Sequence, residues 1–285
     1  MVVSGPALDV LRIAVLRCGM LLLLACTAPG GGTTDHTRAD PNDSAADSGD
    51  AGDTGDTGLN LPLKLGIPGY FYPGEAWDAV VAASDETRIL IVNPDSGPGA
   101  ASDPTYVEAI DRAKAAGILV LGYVSTEYGD RAEANVFADI DNYAMWYNVS
   151  GFFIDEVSGA AECAFDKKFY DRVTARAQID IPGSYVAFNP GTDTCEYFLN
   201  IADAIVIFED SAEAYEVWAP PDWTRAQPPE RFWNLVIDTP EDKLISTLQR
   251  AVASNVSTVY VTDDVLDNPW DSIPTYWDAE IEALE

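Results

Sequence analysis

From residue 61 onward, short apolar runs alternate eight times with connecting stretches, most of which carry apolar residues at three- and four-residue spacing. The runs are "LKLGIPGYFY" (63–72), "TRILIVNP" (87–94), "ILVLGYVST" (118–126), "GFFIDEVS" (151–158), "GSYVAFNP" (183–190), "AIVIFED" (204–210), "FWNLVID" (232–238) and "TVYVTDD" (258–264). They are nearly unbroken in apolar character, as strands covered on both faces must be. Between them, 75–84, 104–117, 131–147, 165–178, 240–255 and 274–285 read as helices, 195–202 as a short one, and a Trp- and Pro-rich stretch follows the sixth run. Gly117 is placed to stop the second helix. Eight such units in about 225 residues predict a single-domain α/β chain of the (β/α)8 type, a TIM barrel. A doubly wound open sheet is the rival arrangement, weakened because no GxGxxG follows the first strand.

The first 60 residues follow another pattern. Arg12 and Arg17 precede the apolar "MLLLLAC" of residues 20–26, too short to span a bilayer and consistent with an export signal over 1–25. "LLAC" resembles a lipobox, which implies cleavage before Cys26 and acylation of its thiol; an ordinary signal cut slightly later is the alternative. Residues 26–60 lack any hydrophobic period and are rich in Gly, Asp and Thr, as expected of a solvated tether. Its "DTGDTG" has alternate oxygen ligands but lacks the Glu that would close a calcium loop. The reading is of an exported bacterial lipoprotein, held to a membrane through Cys26 at the cell surface or in the periplasm, with the barrel domain at 61–285.

Charge and rare residues then narrow the chemistry. The chain has 47 acids against 16 bases, a formal charge of −31, which disfavours nucleic acid and anionic lipid headgroups as partners. The single histidine, His36, falls in the tether, so a Ser-His-Asp triad or His-based zinc site in the domain is not expected. No cofactor or metal is called for, and a monomer is expected. Cys18 leaves with the signal and Cys26 carries lipid, so Cys163 and Cys195 remain as an even pair in an exported chain. They read as a disulfide, with two free thiols as the alternative.

Carboxylates are thus the available acids and bases. In a barrel of this type the C-terminal strand ends build the active face. Asp155 and Glu156 end the fourth run, and Glu209 and Asp210 the sixth. Two acids from different strands are what glycoside hydrolysis requires: one protonates the leaving oxygen, and the other attacks the anomeric carbon or activates water. Because adjacent strand residues face opposite sides, only one of each pair should look inward unless the strand has turned. Capping of the following helices is the competing explanation. Tyr70, Tyr72, Tyr123, Tyr128, Trp218 and Trp223 lie at or after strand ends, where rings can stack on sugars or simply pack. Asn93 and Asn189 end strands in "NP" dipeptides and could bind sugar hydroxyls or shape turns. Asp263, at the end of the eighth run, is a further candidate.

The segments "IPGYFYPGEAWDAV", "IVNPDSGPG", "VLGYVSTEYGDR", "ADIDNYA", "GFFIDEVS", "FNPGT" and "VIFEDS" together resemble the spherulin-4 (spherulation-specific) family over residues 64–283. The resemblance implies a (β/α)8 hydrolase related to enzymes that cut α-1,4-linked galactosaminogalactan, a polysaccharide substrate. It implies catalysis by Asp155, Glu156 and Glu209, with Asp155 as nucleophile, Glu209 as acid/base, Glu156 orienting substrate, and retention of configuration. A carbohydrate-binding surface protein on the same barrel, without turnover, is the alternative.

Overall fold

The computed structural model describes residues 61–285; the expected export signal over 1–25, the expected acylation at Cys26 and the expected tether lie outside the described residues. Eight parallel strands close into a barrel in chain order: β1 Lys64–Gly69, β2 Thr87–Val92, β3 Leu119–Ser125, β4 Gly151–Asp155, β5 Tyr185–Phe188, β6 Ala204–Ser211, β7 Phe232–Ile237 and β8 Thr258–Val261. Seven fall within the apolar runs and β6 overruns its run by one residue, Ser211; closure excludes the open sheet. The α-helices are α1 Glu75–Ala82, α2 Pro104–Ala115, α3 Glu133–Trp146, α4 Cys163–Asp180, α5 Ala212–Val217, α6 Leu244–Ala253 and α7 Trp277–Glu282. None of the described helices is long and apolar enough to cross a membrane.

Local chemistry accounts for the boundaries of α2 and α5. Asp103 caps α2, its Oδ1 accepting from Thr105 N at 2.8 Å, with Pro104 opening the first turn. Gly117, at φ +95°, follows the α2 end in the left-handed conformation that favours glycine. Ser211 caps α5 through Ala214 N, and Pro220 and Pro221 prevent the helix from continuing. The helix expected over 195–202 is instead a 3-10 turn, Glu196–Asn200. The turn survives by packing Phe198 on Tyr170 and Phe188, with ring centroids 5.2 and 5.3 Å away.

The interior is filled in layers. Trp233 of β7 meets Phe153 of β4 at 5.4 Å between ring centroids. Gly66 of β1 leaves that indole its space, since a Cβ there would lie 2.5 Å from the Trp233 ring. Phe153 and Asp155 are two residues apart and so face the same way. With Phe153 in the barrel's fill, Asp155 stands one layer nearer the mouth. The β3–β4 register sets Tyr123 opposite Phe153 and Ser125 opposite Asp155.

The barrel has one thin seam. β1 and β8 pair only through Lys64↔Thr258 and Leu65↔Val259. Beyond that point the Val261 N–H donates at 3.2 Å to Glu280 Oε1 of α7, and Tyr70 N–H donates at 3.1 Å to Trp270 O. The C-terminal segment thus satisfies strand groups that the ladder leaves free.

Candidate active site

Asp155 and Glu209, from β4 and β6, converge on one atom at the mouth. The side-chain nitrogen of Asn189, just past β5, donates to Asp155 Oδ1 at 2.8 Å and to Glu209 Oε2 at 2.6 Å. Those two oxygens can therefore be no farther apart than the sum of the contacts, 5.4 Å. The amide orientation is fixed at its other end, where Asn189 Oδ1 accepts from Gly191 N at 2.9 Å.

Glu156 resolves the alternation problem by leaving the strand. Its backbone adopts φ +52°, a left-handed conformation uncommon outside glycine, asparagine and aspartate. Several bonds hold it there. Glu156 O accepts from Thr126 Oγ1 at 2.8 Å and from Tyr128 N at 2.6 Å. Val157 N donates to Asn189 O at 2.9 Å. The Glu156 carboxylate, turned to the rim, accepts from the hydroxyl of Ser125. Neither Ser125 nor the left-handed turn was read from sequence. The register that places Ser125 beside Asp155 was the available signal for the first; Glu carries no propensity that would have announced the second.

Burial dominates the electrostatics. It raises Asp155 from the ordinary carboxylate range to about 6, against the lowering effect of the Tyr123 hydroxyl directed at its carboxylate, the Glu156 N–H and the Asn189 amide. Glu209 is raised to about 7, by burial first and by the Asp155 charge second, with Asn189 the hydrogen-bond donor opposing the shift. Asp155 has more donors that favour its anion, so it loses its proton before Glu209. Two carboxyls this close titrate as a unit, with the first ionisation centred on Asp155. Tyr70 and Tyr123 are held protonated, by desolvation first and by the Asp155 charge second. Their rings meet edge to face at 5.5 Å. Tyr128 is raised by burial and then by Glu156, which places its half-exposed ring at the same rim.

The mouth thus brings together Asp155, Glu156, Glu209, Asn189, Tyr70, Tyr123 and Tyr128. The other sequence-derived candidates are placed elsewhere or are already engaged. Trp223 is a correction: its ring packs 5.6 Å from Phe232, the first residue of β7, at the strand's N-terminal end and away from the mouth. Trp218 is another. It stacks on Tyr215 of α5 at 5.6 Å and lies 5.1 Å from Phe208. Phe208 precedes inward-facing Glu209, so these rings fill the helix layer outside β6. Tyr72 bonds Asp103 Oδ2 at 3.0 Å and packs on Tyr106 of α2. Asn93 Oδ1 accepts from Gly97 N at 2.8 Å and shapes its own turn. Asp263 accepts from the Thr275 N–H at 3.0 Å and, with its other oxygen, from the Thr275 hydroxyl. Asn189, read as a contact to sugar hydroxyls or a turn former, lies at the mouth but spends both side-chain ends within the protein.

Cys163 and Cys195 form a disulfide, with Cα atoms 6.1 Å apart. It ties the start of α4, after β4, to the loop after β5, so it braces the two segments that carry Asp155 and Asn189. Closing a separation of 32 residues stabilises by about 4 kcal/mol through the entropy of the unfolded chain. Replacing both cysteines with serine is expected to lower unfolding free energy by that amount in urea titration, without changing the pH profile of the site.

A family model described as "Spherulation-specific family 4" matches residues 64–284. Spherulin-4 of Physarum polycephalum is 41% identical over 157 residues, covering 53% of this chain and 46% of that protein. The chain thus matches about half the length of that relative. Among solved structures, Aspergillus clavatus Sph3 in complex with GalNAc superposes with a TM-score of 0.69 at 22% identity, over 79% of this chain and 98% of that one. The PgaB (BpsB) glycoside hydrolase domain from Bordetella bronchiseptica gives 0.50 at 10% identity, over 79% and 99%. At these identities the structural likenesses speak to the fold.

Proposed function

The chain belongs to spherulation-specific family 4, and from that premise we propose that it is a retaining glycoside hydrolase of an amino-sugar polysaccharide. The expected substrate is α-1,4-linked galactosaminogalactan or an N-acetylgalactosamine polymer. The observation that carries the reading is the half-buried pair Asp155 and Glu209, whose facing oxygens are held within 5.4 Å by one Asn189 nitrogen. Carboxyl groups roughly 5 Å apart suit direct attack, whereas the inverting arrangement needs roughly 6.5–9.5 Å to admit a water. The GalNAc bound in the Sph3 complex supports the sugar class.

The chemistry follows from the unequal environments of the two acids. Glu209, the later to ionise, donates its proton to the glycosidic oxygen as the bond to the anomeric carbon breaks. Asp155, the earlier, attacks that carbon and forms a glycosyl ester. Glu209, now ionised, takes a proton from water, and the resulting hydroxide releases the sugar. Glu156, at the rim with Ser125, orients the substrate. The disulfide accords with an exported protein, and anchoring through an acylated Cys26 would keep it at the cell surface or in the periplasm.

The test is incubation of the purified protein with galactosaminogalactan and with other amino-sugar polymers, followed by mass spectrometry of the products. Released fragments from an N-acetylgalactosamine-containing polymer support the reading. Binding without release of any fragment would favour a carbohydrate-binding protein instead. Activity should follow a narrow bell in pH. The rate rises as Asp155 ionises near pH 6 and falls as Glu209 loses its proton near pH 7. A plateau extending to pH 9 would refute this assignment of proton states.

A further inference from the structure

Asn189 is fixed more completely than a ligand-binding side chain needs to be. Its backbone N–H donates to Ile154 O at 2.8 Å and its carbonyl accepts from Val157 N at 2.9 Å. It is thus tied to β4 on both sides of the Asp155–Glu156 pair. Its side-chain oxygen is occupied by Gly191 N. Gly191 turns there at φ +63°, and a Cβ on it would lie 4.0 Å from Glu209 Oε2. Only the amide nitrogen is left to act, and it reaches both carboxylates.

We propose that Asn189 is the positioning residue that sets the spacing and proton state of the Asp155–Glu209 pair, acting through its one amide nitrogen and touching no substrate. The proposal rests on the two-carboxylate reading of the site. Few other side chains meet the requirement. A hydroxyl has one hydrogen and could hold only one acid. A guanidinium or ammonium would stabilise both anions and strip the acid of its proton. A primary amide has two hydrogens on one nitrogen, carries no charge, and with its oxygen occupied cannot accept the proton of Glu209. When Glu209 gives that proton to the leaving group, a donor already faces the new anion, with no rearrangement required. The other titratable groups facing the pair are Tyr70 at the end of β1, Tyr123 on β3, Tyr128 after β3, Glu156 after β4 and Asp210 on β6. None of them is a cation, so the amide stands where another site could use a positive charge.

Two measurements test this. In the wild-type protein, the side-chain amide of Asn189 is followed by 15N NMR from pH 4 to pH 9. Slow solvent exchange, and a chemical shift that moves as the pair titrates, are expected. Exchange at the rate of an exposed amide, or a shift indifferent to pH, overturns the proposal even if every variant fails to fold. In Asn189→Ala, carboxyl 13C titration should show both acids ionising at higher pH. The rising limb of the pH–rate profile should move up, and kcat should fall on the order of 10²-fold with KM within about threefold. A raised KM with unchanged kcat and pH profile would make Asn189 a sugar contact and overturn the proposal. If the wild type cleaves no polymer, the hydrolase reading fails, while the amide and carboxyl titrations still decide whether Asn189 governs the pair.

Discussion

Glu209→Gln is expected to lower kcat/KM on the polysaccharide by on the order of 10² to 10⁴, the usual yield of a positioned general acid, while binding changes little. Gln keeps the side-chain length and can still meet the Asn189 amide through its oxygen, so the mouth keeps its shape and loses the transferable proton. Asp155→Asn should be more damaging, because no covalent intermediate can then form. A synthetic substrate separates the two roles. A leaving group as acidic as dinitrophenol departs without protonation, so Glu209→Gln should regain most of its first-step rate on such a glycoside, seen as a burst of phenolate. Asp155→Asn should regain none. Equal rescue of both variants would mean that the acids do not divide the work as their surroundings imply. Wild-type turnover by Glu209→Gln on the polymer would remove Glu209 from the mechanism altogether.

That division of labour comes from features that a sequence displays unequally. Strand positions were legible because a strand buried on both faces must be apolar throughout, and runs such as "ILVLGYVST" have few other uses. The acids at their ends were legible because Asp155 and Glu209 interrupt apolar runs, where an ionisable group costs free energy unless it is used. Pairwise geometry was not legible. Nothing in "FNP" announces that Asn189 faces two carboxylates instead of solvent, since this depends on β4, β5 and β6 being neighbours in the closed barrel. The aromatic candidates divide for the same reason. Tyr70 and Tyr123 reach the mouth by strand alternation, whereas Trp218 and Trp223 lie after α5 begins, where the chain has turned back along the outside. A residue following a strand in sequence is near its C-terminal end for only a few positions.

The second large effect concerns stability, and it originates at the seam between β1 and β8. Glu280 is fully buried on α7. Its Oε1 accepts the Val261 N–H, but its Oε2 meets no donor, and its neighbours Tyr260, Tyr276, Asp263 and Asp264 supply no positive charge. Burial, with the charge of Asp263 adding to it, raises Glu280 to about 8. In the unfolded chain it ionises near the ordinary Glu value of about 4.3. Between these limits the folded protein retains a proton that the unfolded chain has lost, so unfolding free energy falls as pH rises. Roughly 3–5 kcal/mol is lost between pH 5 and pH 9 from this residue. Asp155 and Glu209 are raised as well and act with the same sign, so Glu280 is isolated by difference. Glu280→Gln imitates the protonated acid and keeps an acceptor for Val261. It should match the wild type in urea titration at pH 5 and exceed it by several kcal/mol at pH 9, with the two midpoints diverging steadily in between. Parallel pH curves for the two proteins would show that Glu280 is not the group that couples this seam to pH.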